Sequence, residues 1–339
     1  MVLPLIPLIV AAATAASATV AAKKGYDSYQ NVKEAKEIAE ATERKYKRSF
    51  HKFEQARQQT NAAFESYGET KLMILNGTMK SFVKNFRKLK NVHFSNKTVI
   101  DSIDSVSNVD HFMREVEKQT IHASQIVVSG ISALAGGGLA AMGALGATTT
   151  FAAASTGTAI ASLSGAAATN ATLAFLGGGS LAAGGLGIAG GMAVLGGIAL
   201  APALAIGSLI FASSTEKKLE EIKKQRSEIE VEIKKLDAAR NVLDEIQGYT
   251  LKMKQLAQCC DQLFAKYIDK MKKIISSSGS DYMKFRYEEQ QVIQRAYQLA
   301  VIMKHLLDTP IINEDGAVSP LLKEVMAKTE KHLSQSDWE

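Results

Sequence analysis

Ninety-seven consecutive residues, Gln119 to Thr215, contain no Asp, Glu, Lys or Arg. The stretch is built mainly from Gly, Ala, Ser and Thr with scattered Leu, Ile and Val, and it holds 19 of the chain's 25 glycines. The flanking sequence is the opposite: charged, poor in glycine and helix-patterned. A long uncharged block between two charged helical arms is a membrane-insertion layout. No signal of comparable strength points to catalysis.

The 339 residues suffice for one large or two modest domains, and aromatic residues at 6% with only five prolines favour long helices over sheets. The +6 net charge lies in the first arm, because residues 1–118 carry 19 basic and 13 acidic side chains and residues 216–339 carry 21 of each. Much of the excess is local. From Lys71 to Lys97 there is no acid, and Lys80, Lys84, Arg87, Lys88 and Lys90 form a candidate patch for an anionic lipid surface. A solvated helix face has the same composition. Nucleic acid is the weaker partner for this patch, since the uncharged block already points to lipid.

Val2–Ala22 is a second uncharged run, followed by Lys23 and Lys24. It reaches the ~20 residues a span requires, and the two lysines would hold the following side in the cytoplasm. Three readings stay open: an anchor or insertable helix, a cleaved signal lacking a basic start, and a buried or interfacial helix. Pro4 and Pro7 would delay or kink the helix start.

Tyr26 to Val92 is free of proline and rich in helix formers. Ile38, Ala41, Tyr46, Phe50, Phe53, Ala56, Ala63 and Phe64 recur at three- and four-residue spacing, which predicts a helical stripe. Gly68 and Gly77 are its expected weak points. His93–Asn108 reads as a connector, and a helix restarts near Asp110. In the second arm, Glu216 to Ile275, the residues Ile222, Ile229, Leu236 and Leu243 are spaced by sevens, which suits packing against a long partner helix. That partner is expected to be the first arm, in an antiparallel stalk. Ser276–Ser280 ends this helix, Asp281–Asp308 forms another, and Pro320 opens a last one after Ser319.

Inside the uncharged block three runs stand out: Ile126–Ala147, Phe151–Leu176 and Leu181–Ala212. Each large apolar residue favours insertion by only ~0.3–0.6 kcal/mol, so the third run can span alone and the middle one needs neighbours. Small residues recur every fourth position, at Ala153, Gly157, Ala161 and Gly165, and from Gly185 through Ala189, Ala193, Gly197, Ala201 and Ala205. Such faces let helix backbones approach closely. Gly157, Gly165, Gly185, Gly187, Gly191, Gly197 and the kink at Pro202 are therefore the candidate insertion and packing residues. A soluble helical core is the competing reading.

The chemistry-bearing patterns are weak. Gly185-Leu-Gly187-Ile-Ala-Gly190 matches a dinucleotide fingerprint, but no strand precedes it and no acid follows before Glu216. Cys259 and Cys260 are adjacent, without the further Cys or His a metal site needs, and read as two small helix residues. The six histidines show no ligand spacing. His122, at the edge of the block, could titrate as a pH trigger, though a solvent-facing or core histidine is the simpler reading. No catalytic residue, cofactor or metal is expected, and the chain does not read as an enzyme.

Three strings carry a resemblance: KKGYDSY from Lys23, ESYGETKL from Glu65, and ASTGTAIASLSGAAATNATLAFLGGGSLAAGGLGIAGG from Ala154 to Gly191. Through them, most of residues 1–215 resembles a group of bacterial glycine-zipper proteins. More loosely, the layout is similar to α-helical pore formers of the cytolysin A type and to apolipoprotein L-like proteins, in which charged helices carry an apolar hairpin into the bilayer. The expectation is an all-α fold in five parts: an apolar segment over 1–24, a charged arm over 25–118, an insertion region over 119–215, a second arm over 216–276 and a helical region over 277–339. The expected function is that of a membrane-active protein, a regulated oligomeric pore former or membrane-disrupting effector in bacterial conflict or phage defence. An anchored coiled-coil scaffold that binds a protein through its arms is the alternative. The expected partners are an anionic bilayer and further copies of the chain. The bulk of the chain is expected in the cytoplasm, with a soluble form before insertion.

Overall fold

A computed structural model describes residues 21–94, 109–129, 143–144, 215–313 and 317–334. The fold is all-α, and the described residues contain no strand, only isolated backbone bridges. The helices are α1 (Ala21–Ile74), α2 (Lys80–Phe86), α3 (Val109–Ser129), α4 (Thr215–Ser278), α5 (Tyr287–Asp308) and α6 (Pro320–Ser334). Contacts divide the chain into two compact units across both arms, one holding residues up to Arg57 with Ile198–Val242, the other holding Gln58–Gly197 with Leu243–Glu339.

Half of the apolar stripe of α1 is buried, at Phe53, Ala56, Ala63 and Phe64, and the buried face also takes in residues outside it. Ala35, Thr42, Ser49, Ala56 and Ala63 are buried at every seventh position, whereas Ala41 is exposed and Ile38, Tyr46 and Phe50 are half-buried. Thr42 can face inward because its hydroxyl donates to the Ile38 carbonyl at 2.7 Å, leaving the methyl to pack. On α4 the seven-residue spacing holds for much longer than the sequence suggests. Ile229, Leu236, Leu243, Thr250, Ala257, Phe264 and Met271 are all buried, while Ile222 is half-buried. Both helices thus bury residues at seven-residue spacing, as helices packed along their length do.

The two arms run parallel, and the antiparallel expectation is corrected. In the first unit Glu34 pairs with Lys223 at 3.2 Å, and the Glu232 carboxylate lies close enough to Tyr46 to help raise its phenol. In the second unit the Thr60 hydroxyl donates to the Leu243 carbonyl at 3.0 Å, and Lys254 donates to Ser66 at 2.6 Å. Further on, Thr78 donates to Asp261. The Lys90 N–H donates to the Ser280 carbonyl at 2.8 Å, and the Tyr282 N–H donates to Lys90 at 3.0 Å. Residue numbers on both helices rise together. Hydrophobic spacing reports which face is buried and carries no information on direction, so the sequence left direction to guesswork.

Gly68 interrupts nothing: it is buried inside continuous α1. The break comes at Leu75–Met79, one π-helical turn containing Gly77. The wider turn keeps Leu75 and Met79 both in the core, and its Asn76 side chain accepts from Ser124 of α3 at 2.9 Å. As expected, α4 stops in the serine run, where Gly279 takes a φ of +84°. α5 starts later than expected, because a 3₁₀ turn at Tyr282–Lys284 intervenes. Glu289 then accepts from the Arg286 N–H at 2.9 Å and the Ser278 hydroxyl at 2.7 Å. Those bonds, together with the Arg286 guanidinium, hold its carboxyl down to about 2.

The second unit's core is aromatic. Tyr297 lies at its centre, with ring centroids 4.9 Å from Phe94, 5.2 Å from Phe112 and 5.6 Å from Phe86. Its hydroxyl is buried and has no hydrogen-bond partner among the described residues. An unsatisfied buried hydroxyl costs roughly 1–3 kcal/mol. Tyr297→Phe is therefore expected to stabilise the protein by about 1 kcal/mol in chemical denaturation. A loss of stability would show that the hydroxyl is bonded.

Candidate functional site

The uncharged block begins as part of the charged body. α3 starts with Asp110, Arg114, Glu115 and Glu117 and ends in Ile126, Val127 and Val128, so one helix carries the chain from charged to uncharged sequence. Its outer face holds exposed Ile121 and Val128, the latter 88% accessible. His122 is exposed on the same helix, which agrees with the solvent-facing reading.

Beyond α3 the block returns to the core at Gly143 and Ala144. The Ala144 carbonyl accepts from the Ile311 N–H at 2.9 Å, and Ala144 is buried. Gly143 lies against the backbone of α1: a Cβ there would sit 1.9 Å from the Phe64 carbonyl oxygen and 2.8 Å from its Cα. Only hydrogen fits in that gap. This is the close backbone approach that glycine permits. It occurs at a glycine outside the four-residue series.

Around this seat lies a buried polar cluster. Phe64 is one turn before Tyr67 and two before Lys71 on α1, and Ile311 follows Asp308 by three residues. Lys71 is fully buried, its Nζ 4.5 Å above the Tyr67 ring centroid. The Tyr67 hydroxyl donates to the Leu306 carbonyl at 3.3 Å. Asp308 accepts from Gln119 Nε2 at 2.9 Å and pairs with Lys304 at 2.5 Å, and Lys304 also reaches Glu115 at 3.3 Å. The cluster thus links α1, α3 and α5. Burial pulls the Lys71 ammonium down from 10.5 to about 7, against the opposing pull of Asp308. Burial and the nearby Asp308 push the Tyr67 phenol up.

The expected basic patch is present in part. Lys80, Lys84, Arg87 and Lys88 are exposed on one face of α2 and the turn that ends it, and Lys90 is exposed just beyond. Arg87 is paired with Glu117 at 2.9 Å, and Lys88 donates to Asn85 at 3.0 Å. Lys71, the first residue of the acid-free stretch, faces the core and takes no part in that surface. Gly157, Gly165, Gly185, Gly187, Gly191, Gly197 and Pro202 lie outside the described residues. Cys259 is exposed and Cys260 buried on α4, with the Cys260 thiol pushed up to about 12, chiefly by burial.

Among the described residues no helix is long and apolar enough to cross a membrane. Comparison with protein-family models, with curated proteins and with solved structures finds no match to this chain.

The sequence reading missed Gly143, Ala144, Lys71 and Asp308. One signal was available. Lys71 falls seven residues after Phe64 and four after Tyr67, which places a charge on a buried stripe.

The Lys71 environment sets a pH dependence. In the folded body Lys71 loses its proton near pH 7, whereas in the unfolded chain it keeps it to about 10.5. The unfolded state then binds more protons above pH 7, so stability rises with pH from about 7. Above the ordinary thiol and phenol range the raised Cys260, Tyr67 and Tyr297 work in the opposite direction. Denaturant titrations between about pH 7 and 8.5 should show stability rising in the wild-type chain. Lys71→Met should flatten that slope; an unchanged slope would show that Lys71 does not titrate there.

Proposed function

We propose that the protein is a membrane-active helical protein whose charged body carries and partly sequesters an uncharged inserting block. The observation behind this reading is the run of 97 uncharged residues, which starts on α3 and is seated in the body at Gly143 and Ala144. Marginal apolarity over that length suits a segment that is covered in one state and inserted in another. The exposed basic residues of α2 supply a first contact with anionic headgroups, worth about 1 kcal/mol per Lys or Arg near the surface. In this reading membrane damage follows from self-association of the inserted, small-residue faces. No catalytic step is part of the function. The relation to glycine-zipper proteins and to α-helical pore formers belongs to the same proposal, as does membrane association with the bulk of the chain cytoplasmic.

A second reading is an anchored scaffold, and the parallel arms favour it. Two parallel helices start side by side and leave their charged outer faces for a protein partner.

Flotation with vesicles containing a large anionic lipid fraction, alongside dye release from the same vesicles, separates the readings. Full-length chain should float and release dye, and loss of residues 148–212 should abolish release. Flotation without release at any protein-to-lipid ratio would favour the scaffold. Neither flotation nor release would overturn the membrane reading.

A further inference from the structure

α2 and α3 belong to the same unit and lie side by side. At one end the Asn76 side chain, one turn before α2, accepts from Ser124 at 2.9 Å and from Lys80 at 3.4 Å. At the other end Arg87 pairs with Glu117 at 2.9 Å. Numbers rise along α2 as they fall along α3, so the two helices are antiparallel.

These contacts fix which side of α3 adjoins α2. Glu117, Ile121, Ser124 and Val128 follow one another at spacings of four, three and four, the repeat of one helical stripe. Two of the four reach α2 or the turn before it. The other two, Ile121 and Val128, alternate with them and stay open, at 51% and 88% accessible. Two aliphatic side chains therefore stand in solvent on the edge of α3 that borders the basic face of α2.

α3 extends the positive charge. Arg114 and Lys118 are exposed at four-residue spacing, on the row that continues to Ile121. With Lys80, Lys84 and Lys88 they give five exposed basic side chains on the helix pair. The acids of α3 do little to offset them, because Glu117 is taken by Arg87 and Glu115 by Lys304, leaving Asp110 in the first turn. α2 contains no acid.

The apolar members of this face select the partner. Nucleic acid held by a basic surface is gripped by exposed aromatic rings on which bases stack, and the aromatic side chains of α2 and α3, Phe82, Phe86 and Phe112, are all buried. Aliphatic side chains beside lysines match a different environment, the boundary between headgroups and acyl chains, where apolar groups bury about 5–10 Å deep and cations meet anionic lipid. The 97-residue uncharged run also begins on this helix, at Gln119.

Extending the membrane reading above, on which this rests, we propose that the α2–α3 face is the surface by which the folded body docks on an anionic bilayer. Lys80, Lys84, Lys88, Arg114 and Lys118 meet the headgroups, and Ile121 and Val128 enter the layer beneath them.

The test uses full-length chain with Cys259→Ser and Cys260→Ala, carrying one polarity-sensitive fluorophore at Val128→Cys or, as a reference outside this face, at Leu321→Cys on α6. Phosphatidylcholine vesicles with and without phosphatidylglycerol are added, and flotation is followed in parallel. The dye at position 128 should shift to the blue and become shielded from an aqueous quencher on the anionic vesicles only, and the dye at 321 should not change. Lys84→Gln with Lys118→Gln, one lysine from each helix, should weaken binding about 30-fold while leaving helicity unchanged. A chain that floats with no shift at 128, or with equal shifts at both positions, overturns the docking face and leaves the membrane reading standing. Unchanged affinity in the double variant overturns it as well. A blue shift at 128 that grows with protein concentration in the absence of lipid would assign the face to a second copy of the chain. If the chain does not float at all, the face and the membrane reading fall together.

Discussion

Everything in the described fold depends on α1 and α4 packing with both helices pointing the same way. Ala35, Thr42, Ser49, Ala56 and Ala63 are buried on α1 together with the larger Phe53 and Phe64, and Ile229, Leu236 and Leu243 are buried on α4. The pairing is reinforced by polar contacts that also fix register: Glu34 with Lys223 in one unit, and Thr60 with Leu243 and Lys90 with Ser280 in the other. Surface pairs such as Glu34–Lys223 contribute little stability, with a median of about 0–1 kcal/mol. They are informative here because they report direction. Parallel neighbours cannot be joined by a short turn. The long insertion between the arms is thus a topological requirement as well as a candidate functional element.

The described part of that connection lies in the second unit. α3 packs on the π-turn, and the block then touches α1 at a point where only glycine fits. The contact lies beside a cluster in which a buried lysine, an aspartate and a second lysine span three helices. Breaking one member of such a network leaves the others buried and unpaired, which costs more than the pair itself contributes.

Much of the element plan was legible. The proline-free arms became α1 and α4, the serine run with Gly279 ended α4, and Pro320 opened α6. Three things were not. Thr42 and Ser49 occupy the buried seam, but a stripe read from apolar residues passes over them, because a helix can satisfy their hydroxyls internally. Direction was misread for the reason given above. Gly77 marked a real irregularity and Gly68 did not, since a buried glycine can serve close packing as readily as a break. At the candidate site, Lys80, Lys84, Arg87, Lys88 and Lys90 are exposed, as charges on a helix and the turn after it are expected to be. Gly143 was hidden among many similar glycines, because what distinguishes it is the Phe64 backbone across the gap.

The parallel course of the arms is the claim on which the described topology rests. Spin labels on Glu34→Cys and Lys223→Cys, in a background lacking Cys259 and Cys260, measure it directly by electron–electron distance. A narrow distribution at the short end of the accessible range is expected. In an antiparallel pair of the same helices, Glu34 would face the far end of α4, some 50 residues and roughly 75 Å of helix from Lys223. A long distance at these positions would contradict the account.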